Sequence, residues 1–199
     1  MITLYTVNTN EYEKNSSEHF FGKHTLDIEY VSITSDKYPD RFYKMLPSLQ
    51  KFEAISVYCD ANMTLEKPDE LIRLCHNLAN SQSAAIFFKH PDRTTARQEI
   101  VECIARGLLL PKALNQYNSW RREGFPDNIQ LMENNVIIRK TYDPELIKCE
   151  EEWFKQYENG MTRDQPSLPY AMWKTGFQNF ILMEQQVKET IFKWRPHKT

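Results

Sequence analysis

The sequence predicts an α/β fold: one domain over residues 1–199, with a mainly parallel central sheet flanked by helices. Strand-like and helix-like segments alternate along the chain, the pattern of βα units. The run Ala54-Ile55-Ser56-Val57-Tyr58-Cys59 is short and mostly apolar, as in a strand covered on both faces, and it stops abruptly at Asp60-Ala61-Asn62. No linker and no internal repeat divides the 199 residues, a length sufficient for one domain with a substantial core.

Met1 to Thr9 alternates and is β-rich, a first strand whose polar end, Asn8-Thr9-Asn10, falls at the carboxyl edge of a parallel sheet. Residues 11–24 are polar and read as loop, with Phe20 and Phe21 turned inward. Leu26 to Thr34 alternates again and is a second strand. Ser35 to Asp40 is turn chemistry, with Asp40 a candidate helix cap. Arg41 to Phe52 starts as helix and is broken or kinked by Pro47. Beyond Asn62, Pro68-Asp69-Glu70 opens a helix to about Asn80, with proline early and acids in the first turn. Ser83 to His90 is a short apolar strand. Thr94 or Thr95 caps a helix through about Gly107, and another runs from Pro111 to about Glu123. Gly124 to Asp127 is loop. Val136 to Arg139 is a strand preceded by Glu133-Asn134-Asn135. Pro144 to about Tyr157 is an amphipathic helix ended by Gly160, and about Ser167 to Thr175 is a further helix. Phe180 to Met183 is a last strand, and the tail closes with Phe192-Lys193-Trp194-Arg195-Pro196-His197-Lys198.

Bulk properties exclude several classes. Charged residues make up 26% and hydrophobic residues 41%, ordinary globular composition. The net charge of -2 gives no basic excess to drive binding to nucleic acid. No apolar run approaches the roughly 18 residues of a membrane span, and the start lacks the layout of a signal peptide. Cys59, Cys75, Cys103 and Cys149 are far apart with no CxxC pair, which speaks against zinc and disulfide frameworks. Only 5 glycines occur, and no Gly-rich phosphate loop is present. A bound phosphate must therefore be held by side chains and a metal.

Asp60 and Asn62 fall at a strand's carboxyl end, where open α/β sheets bind ligands. Two hard oxygen donors two residues apart suit a divalent cation on a diphosphate; the alternative is an Asx turn closing the strand. Arg41 and Lys44 share a helix face and, with Arg97 and Lys198, offer positive charge to a leaving phosphate; otherwise they are a solvated pair. Glu133 and Asp164 are the candidate catalytic carboxylates. Asn134, Gln165 and Ser167 could grip sugar hydroxyls. The competing readings are an exposed loop acid for Glu133 and helix-capping roles for Asp164 and Ser167. His197 is either a solvated terminal histidine or a third metal ligand on a tail that closes over a nucleotide. Trp194 is a candidate ring-stacking residue, whereas Trp120, Trp153 and Trp173 read as core.

The order of six segments carries a resemblance. They are Arg41-Phe42-Tyr43-Lys44-Met45-Leu46-Pro47, Ser56 to Asn62, and His90-Pro91-Asp92-Arg93 with its helix to Glu99. Then come Glu123-Gly124-Phe125-Pro126, Glu133 to Arg139, and Arg163-Asp164-Gln165-Pro166-Ser167-Leu168-Pro169-Tyr170. Over nearly the whole chain this resembles a nucleotide-sugar glycosyltransferase-like family of plant, bacterial and large-virus proteins, once known only as a domain of unknown function. The likeness is strongest to viral members that decorate a major capsid protein. It implies a GT-A fold and a UDP-sugar donor with Mn²⁺ or Mg²⁺. It also implies transfer of a hexose, of glucose or rhamnose type, to a glycan or glycoprotein hydroxyl. Asp60 and Asn62 occupy the place of the family's DxD motif, with an amide for the second carboxylate. His197 is then the third ligand by analogy. Thr6, Asn8 and Ala61 complete the expected donor-binding set. The expected setting is the cytoplasm, the host's if the source is viral, with no membrane insertion. Two other readings stay open: a metal-dependent phosphoester hydrolase using Asp60, Asp164 and Glu133, and a nucleotide-sugar-binding module without turnover.

Overall fold

The computed structural model describes residues 1–7, 25–34 and 39–195. Six strands form the main sheet: β1 (Ile2–Val7), β2 (Ile28–Ile33), β3 (Ile55–Cys59), β5 (Ala85–Phe88), β6 (Val136–Lys140) and β7 (Phe180–Met183). Their order is β2-β1-β3-β6-β5-β7. β1 runs parallel to β2 and β3, and β5 parallel to β7, while β6 opposes both β3 and β5. The fold is therefore mixed α/β with a mainly parallel sheet. The carboxyl ends of five strands and the amino end of β6 share one edge.

The helices are α1 (Asp40–Met45), α2 (Pro68–Ala79), α3 (Ala96–Ala105), α4 (Ala113–Arg122), α5 (Pro144–Glu158), α6 (Asp164–Thr175) and α7 (Gln185–Ile191). Local chemistry explains most starts. Proline occupies the first turn of α2 and α5, where its missing N–H is not needed. Thr95 and Gln98 form a capping box on α3, and Asp143 caps α5. Asp40 is the first residue of α1 rather than its cap; Pro39 holds the cap position in extended conformation. Pro47 ends α1 and opens a 3-10 turn, Pro47–Leu49. α6 begins at Asp164, three residues earlier than its sequence suggests, because Pro166 in the first turn needs no hydrogen bond. Gly176, at φ 72, closes it.

Alternation along the strands separates two apolar layers. Leu4, Val57 and Ile138 face α2 through Leu71 and Leu78. Tyr5, Tyr58 and Ile137 face α5 and α6 through Trp153 and Leu168. A third cluster joins α3, α4 and α6 around Trp120, Phe125 and Tyr170. All four cysteines are buried thiols. Among the described residues no helix is long and apolar enough to cross a membrane.

One part of the architecture was not anticipated. α7 and two short strands, β4 (Met63–Leu65) and β8 (Phe192–Trp194), form a C-terminal appendix. β8 pairs antiparallel with β4, and the Arg195 N–H donates to the Asn62 carbonyl at 2.8 Å. The chain thus returns to the segment just after β3. The Trp194 side chain stays exposed.

Candidate functional site

Asp60 follows β3 at the carboxyl edge. Its N–H donates to the Asn135 carbonyl at 2.8 Å and its carbonyl accepts from Met63 at 2.9 Å, which fixes the turn through Ala61 and Asn62. Its Oδ1 accepts from the Tyr58 hydroxyl at 2.6 Å and lies 3.5 Å from Lys44 Nζ. The Asp60 side chain remains 39% exposed. The Tyr58 phenol is pushed well above its ordinary pKa by burial and by the Asp60 charge, so it stays a donor.

Lys44, in the last turn of α1, is buried with its ammonium between two carboxylates. Nζ is 2.6 Å from Asp164 Oδ2 and 4.6 Å from the centre of the Tyr58 ring. Arg41, one turn earlier, places Nε 3.2 Å from Asp164 Oδ1 and pairs with Asp40. Asp164 is 3% exposed. Burial alone would raise its pKa, but Lys44, Arg41 and Arg163 outweigh that and hold the carboxyl well below the usual range. The cluster is anchored from beneath. The Lys44 carbonyl accepts from Arg139 Nη1 at 2.9 Å and from the Tyr5 hydroxyl at 3.3 Å, and Arg139 Nη1 also reaches Glu150 at 2.9 Å.

A second group lies along the same edge. Glu133 accepts from Lys188 and Gln185 of α7. Lys188 Nζ also donates to Asn135 Oδ1 at 2.9 Å. Asn134 is 1% exposed, and both its side-chain polar atoms lack a hydrogen-bond partner among the described residues. Thr6 Oγ1 is buried and unpaired in the same sense. Such atoms are costly unless a ligand or water answers them. By strand alternation Thr6 falls on the layer of Val57 and Cys59, opposite the Asp60 side chain.

Gln165 and Glu133 open onto a pocket of about 200 Å³ between the end of β5 and α3. There Arg93 pairs with the buried Glu99, whose other oxygen accepts from the Cys103 thiol at 3.2 Å. Donors surround the His90 ring: the Asp92 and Arg93 amides approach Nδ1, both at 3.1 Å, and the Arg93 guanidinium is 3.0 Å from Nε2. Burial and then Arg93 hold the His90 pKa below its ordinary value. Pro169 inside α6 cannot donate, which leaves the Gln165 carbonyl without its helical partner.

The structure therefore brings Arg41, Lys44, Asp60 and Asp164 together, with Glu133, Asn134 and Gln165 farther along the edge. Arg97 departs from expectation. It is exposed, its N–H donates to Asp127, and its charge acts on Tyr117 of α4; no bond joins it to Lys44, Asp60 or Asp164. Ser167 donates to the Asp164 carbonyl at 3.2 Å within α6, a helix-internal role. Asn8, His197 and Lys198 lie outside the described residues. Tyr58, Arg139 and Lys188 were missed. Tyr58 stands two residues before Asp60 and so on the same strand face, which was the one available signal. A larger groove, about 700 Å³, opens between α4, α5 and α6 and contains none of the expected residues.

As for a metal, Asp60 supplies one hard, accessible carboxylate and Asn62 a neutral amide. Among the described residues no three His, Cys, Asp or Glu side chains form a metal-holding group. A carboxylate and an amide are oxygen donors of the type that Mg²⁺ or Mn²⁺ accepts, and further ligands would have to come from elsewhere. The Lys44 ammonium beside Asp60 lowers that affinity.

No protein-family model and no curated protein sequence matches the chain. Solved structures do. A glycosyltransferase involved in glycosylation of the major capsid of PBCV-1 aligns with TM-score 0.53 at 9% identity, covering 100% of this chain and 94% of that one. The apo structure of the bifunctional glycosyltransferase WbbM gives 0.50 at 9% identity, over 92% of this chain and 38% of that one. Apo mouse xyloside xylosyltransferase 1 gives 0.49 at 8%, over 92% and 85%. At this identity the likeness defines the fold, and the fold is that of a GT-A-like glycosyltransferase.

Proposed function

We propose that the chain is a metal-dependent glycosyltransferase domain that moves a hexose from a UDP-sugar to a hydroxyl of a glycan or glycoprotein. The observation that carries this reading is the convergence of Asp60, Lys44, Arg41 and Asp164 at the carboxyl edge of a glycosyltransferase fold. Asp60 and Asn62 would hold Mn²⁺ or Mg²⁺, with His197 as the further ligand. The bound ion supplies charge against the departing diphosphate. Thr6, Asn8 and Ala61 would border the nucleotide, and Lys198 would add charge near the phosphates.

Asn134 and Gln165 would bind the transferred sugar. Asp164, ionised under three cations, is too weak a base to deprotonate an acceptor hydroxyl. Its role is that of a fixed negative charge beside the positive charge that develops on the sugar ring. Glu133, tied to Lys188, is held in a set position rather than free to turn.

Calorimetric titration with UDP, UDP-glucose, GDP and ADP, with and without Mn²⁺, tests the reading. UDP and its sugar should bind best, and only with the metal. Asp60→Ala should weaken Mn²⁺-dependent binding by about 100-fold or more, since even supporting residues around metals are worth 10–100-fold. Equal binding in Asp60→Ala would remove the proposed site. The neutral amide of Asn62 favours a second reading, a binding module without turnover. UDP binding with neither hydrolysis nor transfer of UDP-sugars would select it. The hydrolase reading is disfavoured, because Asp164 and Glu133 are each committed to a separate cation.

A further inference from the structure

The pocket of about 200 Å³ beside Gln165 and Glu133 has walls to which no role has been assigned. Most of its charges are answered in pairs: Arg93 by Glu99, Arg106 by Glu102 at 2.6 Å, and Glu133 by Lys188; Arg163 and Asp92 remain, one of each sign. A free anion entering it would meet four carboxylates, and a free cation three guanidinium groups. With Lys188 on Glu133 these charges sum to zero, so neither sign is favoured.

What remains to be met is hydrogen bonding. The Arg163 Nε is buried without a hydrogen-bond partner among the described residues. The Gln165 carbonyl has lost its helical donor to Pro169. One group needs an acceptor and the other a donor, and a hydroxyl can be either. The space is smaller than the ~300 Å³ at which pockets for drug-sized ligands begin. It admits one sugar ring and no nucleotide.

We propose that this pocket is a subsite for a single neutral pyranose. Resting on the functional reading above, that ring is the acceptor's terminal sugar. The position agrees with this assignment. Gln165 directly follows Asp164 and Glu133 directly precedes Asn134, so the pocket adjoins the edge where transfer would occur. The pocket contains neither Lys44 nor Asp60, which belong to the diphosphate side.

The test uses the full chain with saturating UDP and Mn²⁺, and methyl glycosides of glucose, galactose, mannose, xylose and rhamnose as probes, followed by saturation-transfer NMR. Leu108 is 49% exposed at the pocket rim, so Leu108→Trp fills the pocket from outside without disturbing the core. At least one glycoside should bind with roughly millimolar affinity, the range open to so small a ligand. Leu108→Trp should weaken it about tenfold while UDP affinity stays within about twofold. Arg106→Ala, which shortens an exposed side chain, should weaken it in the same direction.

The proposal is overturned if wild type binds UDP but none of the glycosides at ~50 mM, or if Leu108→Trp leaves glycoside affinity unchanged. If UDP fails to bind while Leu108→Trp still abolishes glycoside binding, the sugar pocket stands and the functional reading falls.

Discussion

Replacing Asp164 with Asn removes one charge and almost no volume, which isolates the electrostatic role of the cluster. The carboxylate is fully enclosed, with Oδ2 2.6 Å from Lys44 Nζ and Oδ1 3.2 Å from Arg41 Nε. Removing one partner of a buried pair costs roughly 3–5 kcal/mol, because the other charge is left uncompensated. Here Lys44 keeps Asp60 at 3.5 Å and Arg41 keeps Asp40, so the lower end applies, about 3 kcal/mol at pH 7. The pH dependence has a definite sign. The folded-state pKa of Asp164 lies below its unfolded value, so its contribution is complete above the ordinary carboxylate pKa, about 3.9, and is lost as pH falls below it. The deficit of Asp164→Asn should be the same at pH 7 and pH 5. Below about pH 4 it should shrink by ~1.4 kcal/mol per unit. Urea unfolding at each pH measures this; with m of ~2–3 kcal/mol/M the midpoint at pH 7 moves down by about 1 M. A deficit under ~1 kcal/mol at pH 7, or one that persists undiminished at pH 3, refutes the assignment of Asp164 as the counter-charge of Lys44 and Arg41.

Glu150 should show the opposite slope. Burial pushes its carboxyl up to about 7 despite the opposing charge of Arg139, so the wild type loses stability as pH rises from about 4.5 through 7. Glu150→Gln should match it near pH 4.5 and gain about 3 kcal/mol on it by pH 8; parallel profiles would mean that Arg139 cancels the burial penalty. Asp127, at φ 53, accepts from the Ala96 and Arg97 amides of α3 and from the Tyr117 hydroxyl at 2.9 Å. Asp127→Ala should cost about 2 kcal/mol in thermal or urea unfolding, as for loss of a strong cap. It should also release the Tyr117 phenol from a pKa of about 12, held up by burial and by Asp127, toward 10 in an ultraviolet titration.

Elements with local signals were legible in the sequence. β3 was readable because Ile55, Val57 and Cys59 lie on one face and the run ends at a carboxylate; α2 and α3 were readable from proline and threonine at their starts, and α5 from its amphipathic pattern. β4 and β8 were not, because each is three residues long and they pair Thr64 with Lys193, a contact with no local trace. The direction of β6 was equally hidden. Val136-Ile137-Ile138 reads as a buried strand whichever way it runs, and only its pairing with β3 and β5 shows it antiparallel. That direction carries Asn134 and Asn135 to the edge beside Asp60. Arg139 shows the limit of residue type as a guide. A charged residue at a strand's end suggests exposure, whereas this one is buried because Glu150, Tyr5 and the Lys44 carbonyl all meet it.

The same reasoning bears on why a cation would matter here. The sequence presents Arg41 and Lys44 as free positive charge for a diphosphate. In the fold, Asp164, Asp60 and Asp40 already oppose those two charges. A pyrophosphate approaching this edge meets a field that is close to neutral, and the buried Lys44 cannot swing out to it without stranding Asp164. On the proposed reading, the charge that binds the phosphates would then come chiefly from an ion on Asp60, from Lys198, or from both. On the proposed reading, UDP affinity should therefore depend on Mn²⁺ more steeply than on Arg41. The titration with and without metal, repeated on Arg41→Gln, decides between a rim that binds phosphate through its own side chains and one whose cations serve to hold Asp164 and Asp60 in place.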